Sequence, residues 1–206
     1  MIERPRLTRI TLVLALVLAA VALGLTLRLF VLDRYGTPAP GSGAATLVGG
    51  PFTLIDQDGN TRTDGDFRGK FMLVYFGYSY CPDLCPTELQ AISDALEALG
   101  DKARTVQPIF ITIDPERDTA DTMKQYVSHF SPRLIGLTGT PEQVAAVAKA
   151  YRVYYAKVPA KGGGKDDYLM DHSGLVYLIG PDGRYLTHFT PQTPAAQMAK
   201  AIGRFL

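Results

Sequence analysis

Phe71-Met72-Leu73-Val74-Tyr75-Phe76-Gly77-Tyr78-Ser79-Tyr80-Cys81-Pro82-Asp83-Leu84-Cys85-Pro86 is the stretch on which the reading of this chain turns. Its first six residues form an almost continuous apolar run, as expected of a strand buried on both faces of a sheet. Its second half carries Cys81 and Cys85, which account for both cysteines of the 206-residue chain. Leu89, Ile92, Leu96 and Leu99 then recur at helical spacing, and Gly100 ends that helix. The cysteine pair therefore sits where a buried strand gives way to a helix.

The same alternation continues outward. Phe52 to Ile55 reads as a strand and Asp56 to Asn60 as a turn. Val106 to Ile113 is a second buried strand, and Asp118 or Thr119 caps a helix running to about Phe130. Leu134 to Leu137 is a short strand, and Thr140-Pro141 opens a further helix with Thr as cap and Pro at the first position. Tyr151 to Val158 reads as a strand, Lys161 to Lys165 as a Gly-rich loop, and Asp171-His172-Ser173-Gly174 as a polar turn. Leu175 to Ile179 and Tyr185 to Phe189, joined through Pro181-Asp182-Gly183, make a hairpin, and Thr193-Pro194 caps a last helix. Strands alternating with helices give an α/β layer structure. A central strand feeding a cysteine pair at a helix start, with a terminal hairpin and a closing helix, matches a thioredoxin-like plan with a mixed central sheet.

Ahead of this body, residues 48–206, lies a different kind of sequence. Ile10 to Leu27 carries no charge, and Leu29 to Leu32 extends the run past Arg28. At about 1.5 Å per residue the uncharged part alone makes roughly 27 Å of helix, close to the hydrocarbon thickness of a bilayer. Arg28 can snorkel to the headgroups. The run exceeds the apolar core of a cleaved signal peptide, so residues 10–32 are expected to be a retained transmembrane anchor, with Ala44 and Ala45 keeping cleavage open. Arg4, Arg6 and Arg9 place residues 1–9 on the cytoplasmic side and the body on the exported side of a bacterial inner membrane. Residues 33–47, rich in Gly, Pro, Ala and Ser, make a flexible tether. A net charge of +1 without a basic stripe excludes a nucleic-acid-binding face. The exported compartment is oxidising and permits a Cys81–Cys85 disulfide.

Three uses of the pair compete. A structural staple over so short a loop removes little chain entropy. A dithiol at a helix N-terminus has its thiol pKa lowered and becomes nucleophilic, which suits thiol–disulfide exchange. Thioredoxin-type reductases separate their cysteines by two residues rather than three, and the wider gap suits a shared metal. Two thiolates with an imidazole select copper, particularly Cu(I), or zinc. Of the three histidines, His129 near a helix C-terminus and His188 in the hairpin read as surface groups. His172 enters the apolar strand whose preceding loop faces the cysteine helix in a thioredoxin-like fold, so it is the candidate third ligand.

A peroxidase on the same fold would set Pro-x-x-x-Thr-x-x-Cys before its reactive cysteine, whereas position 78 is Tyr and Thr87 follows the pair. Asp56-x-Asp58-Gly59-Asn60 lacks the acid of a calcium loop at its twelfth position, Phe67. Gly162-Gly163-Gly164-Lys165 lacks the spacing and the Ser/Thr of a phosphate loop. Asp114 and Asp118 either shape the neighbouring loop or, on the simpler reading, are turn and cap residues around Pro115.

Gly77 to Pro86, Thr112-Ile113-Asp114-Pro115-Glu116-Arg117-Asp118-Thr119 and Asp171-His172-Ser173, in this order, resemble the Sco/SenC family of copper-binding assembly proteins. Leu84 stands where that family often has Val. The resemblance implies copper held by Cys81, Cys85 and His172. It implies delivery of copper, or thiol reduction, for the binuclear CuA centre of cytochrome c oxidase, with the subunit carrying that centre as partner. A periplasmic copper donor or thiol reductant is a further expected partner. Redox cycling of Cys81 and Cys85 would then gate the metal site, and a plain thiol–disulfide oxidoreductase remains the alternative.

Overall fold

A computed structural model describes Leu18, Val21, Ala22, Thr26, residues 48–159 and residues 167–206. The expected anchor at 10–32, the tether at 33–47 and the Gly-rich loop at Lys161–Lys165 lie outside the described residues, apart from those four, which are helical. No helix among the described residues is long and apolar enough to cross a membrane. The chain divides into Met1–Ala45 and Thr46–Leu206, and only the second is described further.

Among the described residues of this second unit there are nine strands and four α-helices. They are β1 Thr53–Asp56, β2 Thr61–Thr63, β3 Phe71–Gly77, α1 Leu84–Leu99, β4 Val106–Thr112, α2 Ala120–Val127 and β5 Ile135–Thr138. Then follow α3 Pro141–Ala150, β6 Tyr155–Pro159, β7 Tyr168–His172, β8 Val176–Ile179, β9 Tyr185–Phe189 and α4 Ala195–Ile202. Seven strands form one sheet in the order β2-β1-β5-β4-β3-β8-β9, while β6 and β7 pair only with each other. β3, β4 and β5 run parallel, and β8 and β9 close the edge as the expected antiparallel hairpin. The result is the thioredoxin-like α/β fold with a mixed central sheet.

β3 is central because its side chains are apolar on both faces: Leu73, Val74, Tyr75 and Phe76 are fully buried. Consecutive residues face opposite layers. Phe76 meets Tyr151 at the end of α3 and Tyr177 of β8, while Tyr75 stacks on Phe110 of β4, which in turn meets Tyr126 of α2. Tyr75 thus faces the layer that also holds the cysteines.

Several element ends differ from the sequence reading. α2 stops at Val127 because its last amides turn to carbonyls three residues back, His129 to Tyr126 and Phe130 to Val127. Thr119, not Asp118, caps it, by accepting from the Thr122 amide. Tyr151 does not begin a strand but ends α3, and Arg152 at φ 56° reverses the chain before β6 starts at Tyr155. At α4 Pro194 itself occupies the cap position without a side-chain bond, and the Thr193 hydroxyl donates to the Thr190 carbonyl instead. Asp171 and His172, expected in a turn, close strand β7 by pairing with Ala156 and Tyr155.

Candidate metal or dithiol site

The cysteine turn is shaped by what it has to fit against. A Cβ at Gly77 would lie 2.8 Å from Cys85 Sγ and 2.8 Å from Phe110 Cε2, so the absence of a side chain there lets the sulfur settle on the end of β3. Cys81 lies before α1 and Cys85 is the second residue within it. The pair straddles the turn and the helix, rather than sharing one helical face. Asp83 holds the cap position without a side-chain bond, and the Cys85 amide donates instead to Cys81 Sγ at 3.4 Å. A sulfur thus occupies the place where free N–H groups and the helix dipole favour negative charge.

Both cysteines are free thiols, Cys81 half-buried and Cys85 fully buried. The hydrogen bond from the Cys85 thiol holds Cys81 well below its ordinary pKa, at about 3, against the opposing effect of burial. The amides of Asp83 and Cys85 add to the lowering. The same hydrogen bond, burial and the neighbouring thiolate push Cys85 up. At neutral pH the pair is one accessible thiolate backed by one buried thiol, which is the arrangement of a nucleophile with its resolving partner.

His172 is brought to this pair across 87 residues of sequence: its Nε2 lies 3.6 Å from Cys85 Sγ. Its Nδ1 faces the Ser173 carbonyl at 3.1 Å and carries the hydrogen there. In the neutral ring this leaves the Nε2 lone pair directed at the sulfurs, the outer-shell arrangement usual for a histidine ligand. Tyr75 and Tyr78 meet the imidazole edge-on, with centroids at 6.3 and 6.2 Å. Thiolate and imidazole bonds of about 2.3 and 2.0 Å to one ion would separate S and N by roughly 3.5–3.8 Å, a span that 3.6 Å matches. Among the described residues no three His, Cys, Asp or Glu side chains stand as a ready-made metal cage. What stands there is a reduced dithiol hydrogen-bonded beside an imidazole. His129 lies past the end of α2, and His188 pairs opposite Tyr177 and meets the Tyr185 hydroxyl at 2.5 Å. Neither joins the cysteines.

Asp118, for which the sequence favoured a helix cap over a role in shaping the neighbouring loop, takes the second role. It is fully buried and accepts from the Ser79 amide at 3.0 Å, the Ser79 hydroxyl and the Thr112 hydroxyl at 2.6 Å. It therefore pins the turn two residues ahead of Cys81 to the end of β4. Burial raises its pKa, and those same donors oppose the rise. The signal was the polar segment Thr112–Thr119 itself, but its partner Ser79 is 39 residues away. Behind the sulfurs, the Tyr75 hydroxyl and one Glu88 carboxyl oxygen are buried without a bonding partner at hydrogen-bond geometry. The Tyr75 hydroxyl is nonetheless electrostatically coupled to the Cys85 sulfur.

Fold and site together define a thioredoxin-like dithiol protein with a histidine beside its cysteines. The SCO1/SenC profile matches residues 40–206, and the chain belongs to that family. It is 45% identical over 158 residues to the mitochondrial SCO1 homolog of Mus musculus, covering 76% of this chain and 55% of the mouse protein. Against protein SenC of Rhodobacter capsulatus it is 41% identical over 175 residues, covering 84% of this chain and 78% of SenC. The chain thus spans about half the length of the mouse protein. Among solved structures, copper-bound ScoI of Bradyrhizobium japonicum superposes with a TM-score of 0.71 at 48% identity, covering 77% of this chain and 99% of that one. Copper-bound yeast Sco1 superposes at 0.70 and 40% identity, covering 76% and 87%.

Proposed function

We propose that this protein is a membrane-anchored copper carrier that holds its cargo through Cys81, Cys85 and His172 for assembly of the CuA centre of cytochrome c oxidase. The observation that carries the reading is the 3.6 Å approach of His172 Nε2 to Cys85 Sγ, with the Cys81 thiolate hydrogen-bonded to the same thiol. The copper bound by the Bradyrhizobium and yeast relatives supports copper over zinc as the cargo. Cu(I) is soft and suits two thiolates with one neutral imidazole. Its capture displaces the one remaining thiol proton, that of Cys85, because Cys81 is already a thiolate. Half-burial of Cys81 and His172 leaves one side of the site open, so a recipient can replace the ligands one at a time. Oxidation to a Cys81–Cys85 disulfide removes two electrons and both thiolates, and with them the grip on the ion. The apolar run at 10–32 would keep the body at the exported face of a bacterial inner membrane, with residues 1–9 in the cytoplasm.

A second reading has its own support. An accessible thiolate over a buried thiol is equipped to reduce a partner disulfide: Cys81 attacks, a mixed disulfide forms, and Cys85 resolves it as the partner leaves with both its thiols. Histidine 172 is dispensable for that exchange. Copper stoichiometry of the reduced protein, with its thiolate-to-copper absorption, separates the two. The parent is expected to bind one copper, and His172→Ala to hold it more than about a hundredfold less tightly, beyond the loss typical of an outer-shell change. Equal binding by parent and variant would remove His172 from the site and leave the dithiol reductase.

A further inference from the structure

His172 is not carried by the sheet that carries the cysteines. It ends the separate ribbon β6–β7, so something other than sheet hydrogen bonds must hold it against them. Among the contacts of the described residues that do so, two involve Arg117. Its Nη1 donates to the Tyr168 carbonyl at 3.0 Å, and its Nε donates to Asp114, whose other oxygen accepts from the Tyr168 hydroxyl at 2.9 Å. Asp114 is fully buried just past the end of β4, and its amide donates to the Thr112 hydroxyl. A further contact sets the Met170 amide, as donor, against the Tyr78 hydroxyl oxygen.

The guanidinium carbon also stands 3.8 Å from the centre of the Tyr168 ring, 4.7 Å from that of Tyr80 and 5.8 Å from that of Tyr78. Tyr78 and Tyr80 flank the residue pinned by Asp118, just ahead of Cys81. Tyr168 lies four residues before His172 on the same strand. One cation therefore touches the cysteine turn on one side and the histidine strand on the other. Lys157, its ammonium 4.5 Å from the centre of the same Tyr168 ring, is paired with Glu116 at 2.7 Å.

We infer that Arg117 and Tyr168 form a clamp that sets how His172 faces the dithiol, so that the grip on cargo copper is tuned by residues that never touch the ion. The inference deepens the copper-carrier reading and takes its cargo from it. Arg117 and Tyr168 are positioning residues. The clamp needs the geometry of arginine, since one group donates sideways to a carboxylate and endwise to a carbonyl while its charge stands over a ring. Lysine, a point charge, cannot do all three.

The test uses the full-length reduced protein in detergent, with Arg117→Lys and Tyr168→Phe made alone and combined with His172→Ala. Competition for Cu(I) against a colorimetric chelator is expected to show each single variant weakened about tenfold, the lower end for outer-shell changes. In the His172→Ala background the same changes are expected to cost nothing further, and reaction of the dithiol with a small disulfide to stay within about twofold of the parent. Equal losses with and without His172 would overturn the inference, since the clamp would then act on the cysteines or on the fold at large. Amide exchange of the copper-free protein decides the clamp independently of the metal. The amides of β7 should exchange about tenfold faster in Arg117→Lys while those of β3 do not change. Unaltered exchange in β7 would sink the clamp even if copper binding stands, whereas failure of the parent to bind copper, with β7 loosened, would sink only its proposed cargo.

Discussion

The cysteines and the histidine reach the site on very different supports. Cys81 and Cys85 hang between β3, buried on both faces in the middle of a seven-stranded sheet, and α1, whose Leu89, Ile92, Ala95 and Leu96 are buried in the core. His172 sits at the end of a two-stranded ribbon whose cross-strand pair Val158 and Leu169 is largely exposed, at 46% and 44%. An isolated two-stranded ribbon is marginal by itself. The dithiol is therefore preorganised by apolar burial, and the third donor is added by polar contacts that cost less to open. On the copper-carrier reading, that division would let the site hold an ion and then surrender it.

The largest expected effect is in amide exchange of the unmodified protein. Amides of β3 should exchange at least about a thousandfold more slowly than those of β6 and β7, reflecting sub-global opening of the ribbon alone. Equal protection would mean that both supports open together, and the contrast would be void. The next is chemical. Because Cys81 is held as a thiolate, its alkylation by iodoacetamide should be nearly constant from about pH 6 to pH 8, whereas an ordinary thiol with a pKa of about 8.5 gains roughly tenfold per unit. Cys85, with its pKa raised and its sulfur buried, should react about a hundredfold more slowly at pH 7. A steep rise for Cys81 over that range would show that the turn does not stabilise its charge. The smallest is on stability. Asp118→Asn puts amide hydrogens where an acceptor of three bonds is needed and should lower unfolding free energy by about 1–3 kcal/mol. Urea denaturation measures it, and an unchanged midpoint would show that Ser79 and the cysteine turn do not depend on that carboxylate.

Much of this was legible in the chain. The apolar run Phe71–Phe76, the helical spacing after Cys85 and the final hairpin all appear where their patterns put them, because burial on two faces and helical periodicity are written locally. β2, with only three residues, and β7, with alternating polar positions, left too weak a pattern to read. Tyr151 looked like the start of a strand because aromatic residues favour strands, yet its burial against Phe76 and Tyr177 serves the end of α3 instead. Asp118 looked like a cap because its true partners are set by how β3 and β4 lie side by side.

By itself the sequence determined the central strand, the cysteine turn at the head of a helix and His172 as the histidine to watch. Hydrophobic period and local backbone chemistry act over a few residues and need no partner elsewhere. Only the tertiary structure decided which sulfur is the more acidic, which nitrogen of His172 faces the pair and how the histidine's ribbon is fastened to the cysteine turn. Those outcomes depend on groups dozens of residues apart meeting within hydrogen-bonding range, and such meetings exist only once the sheet has formed.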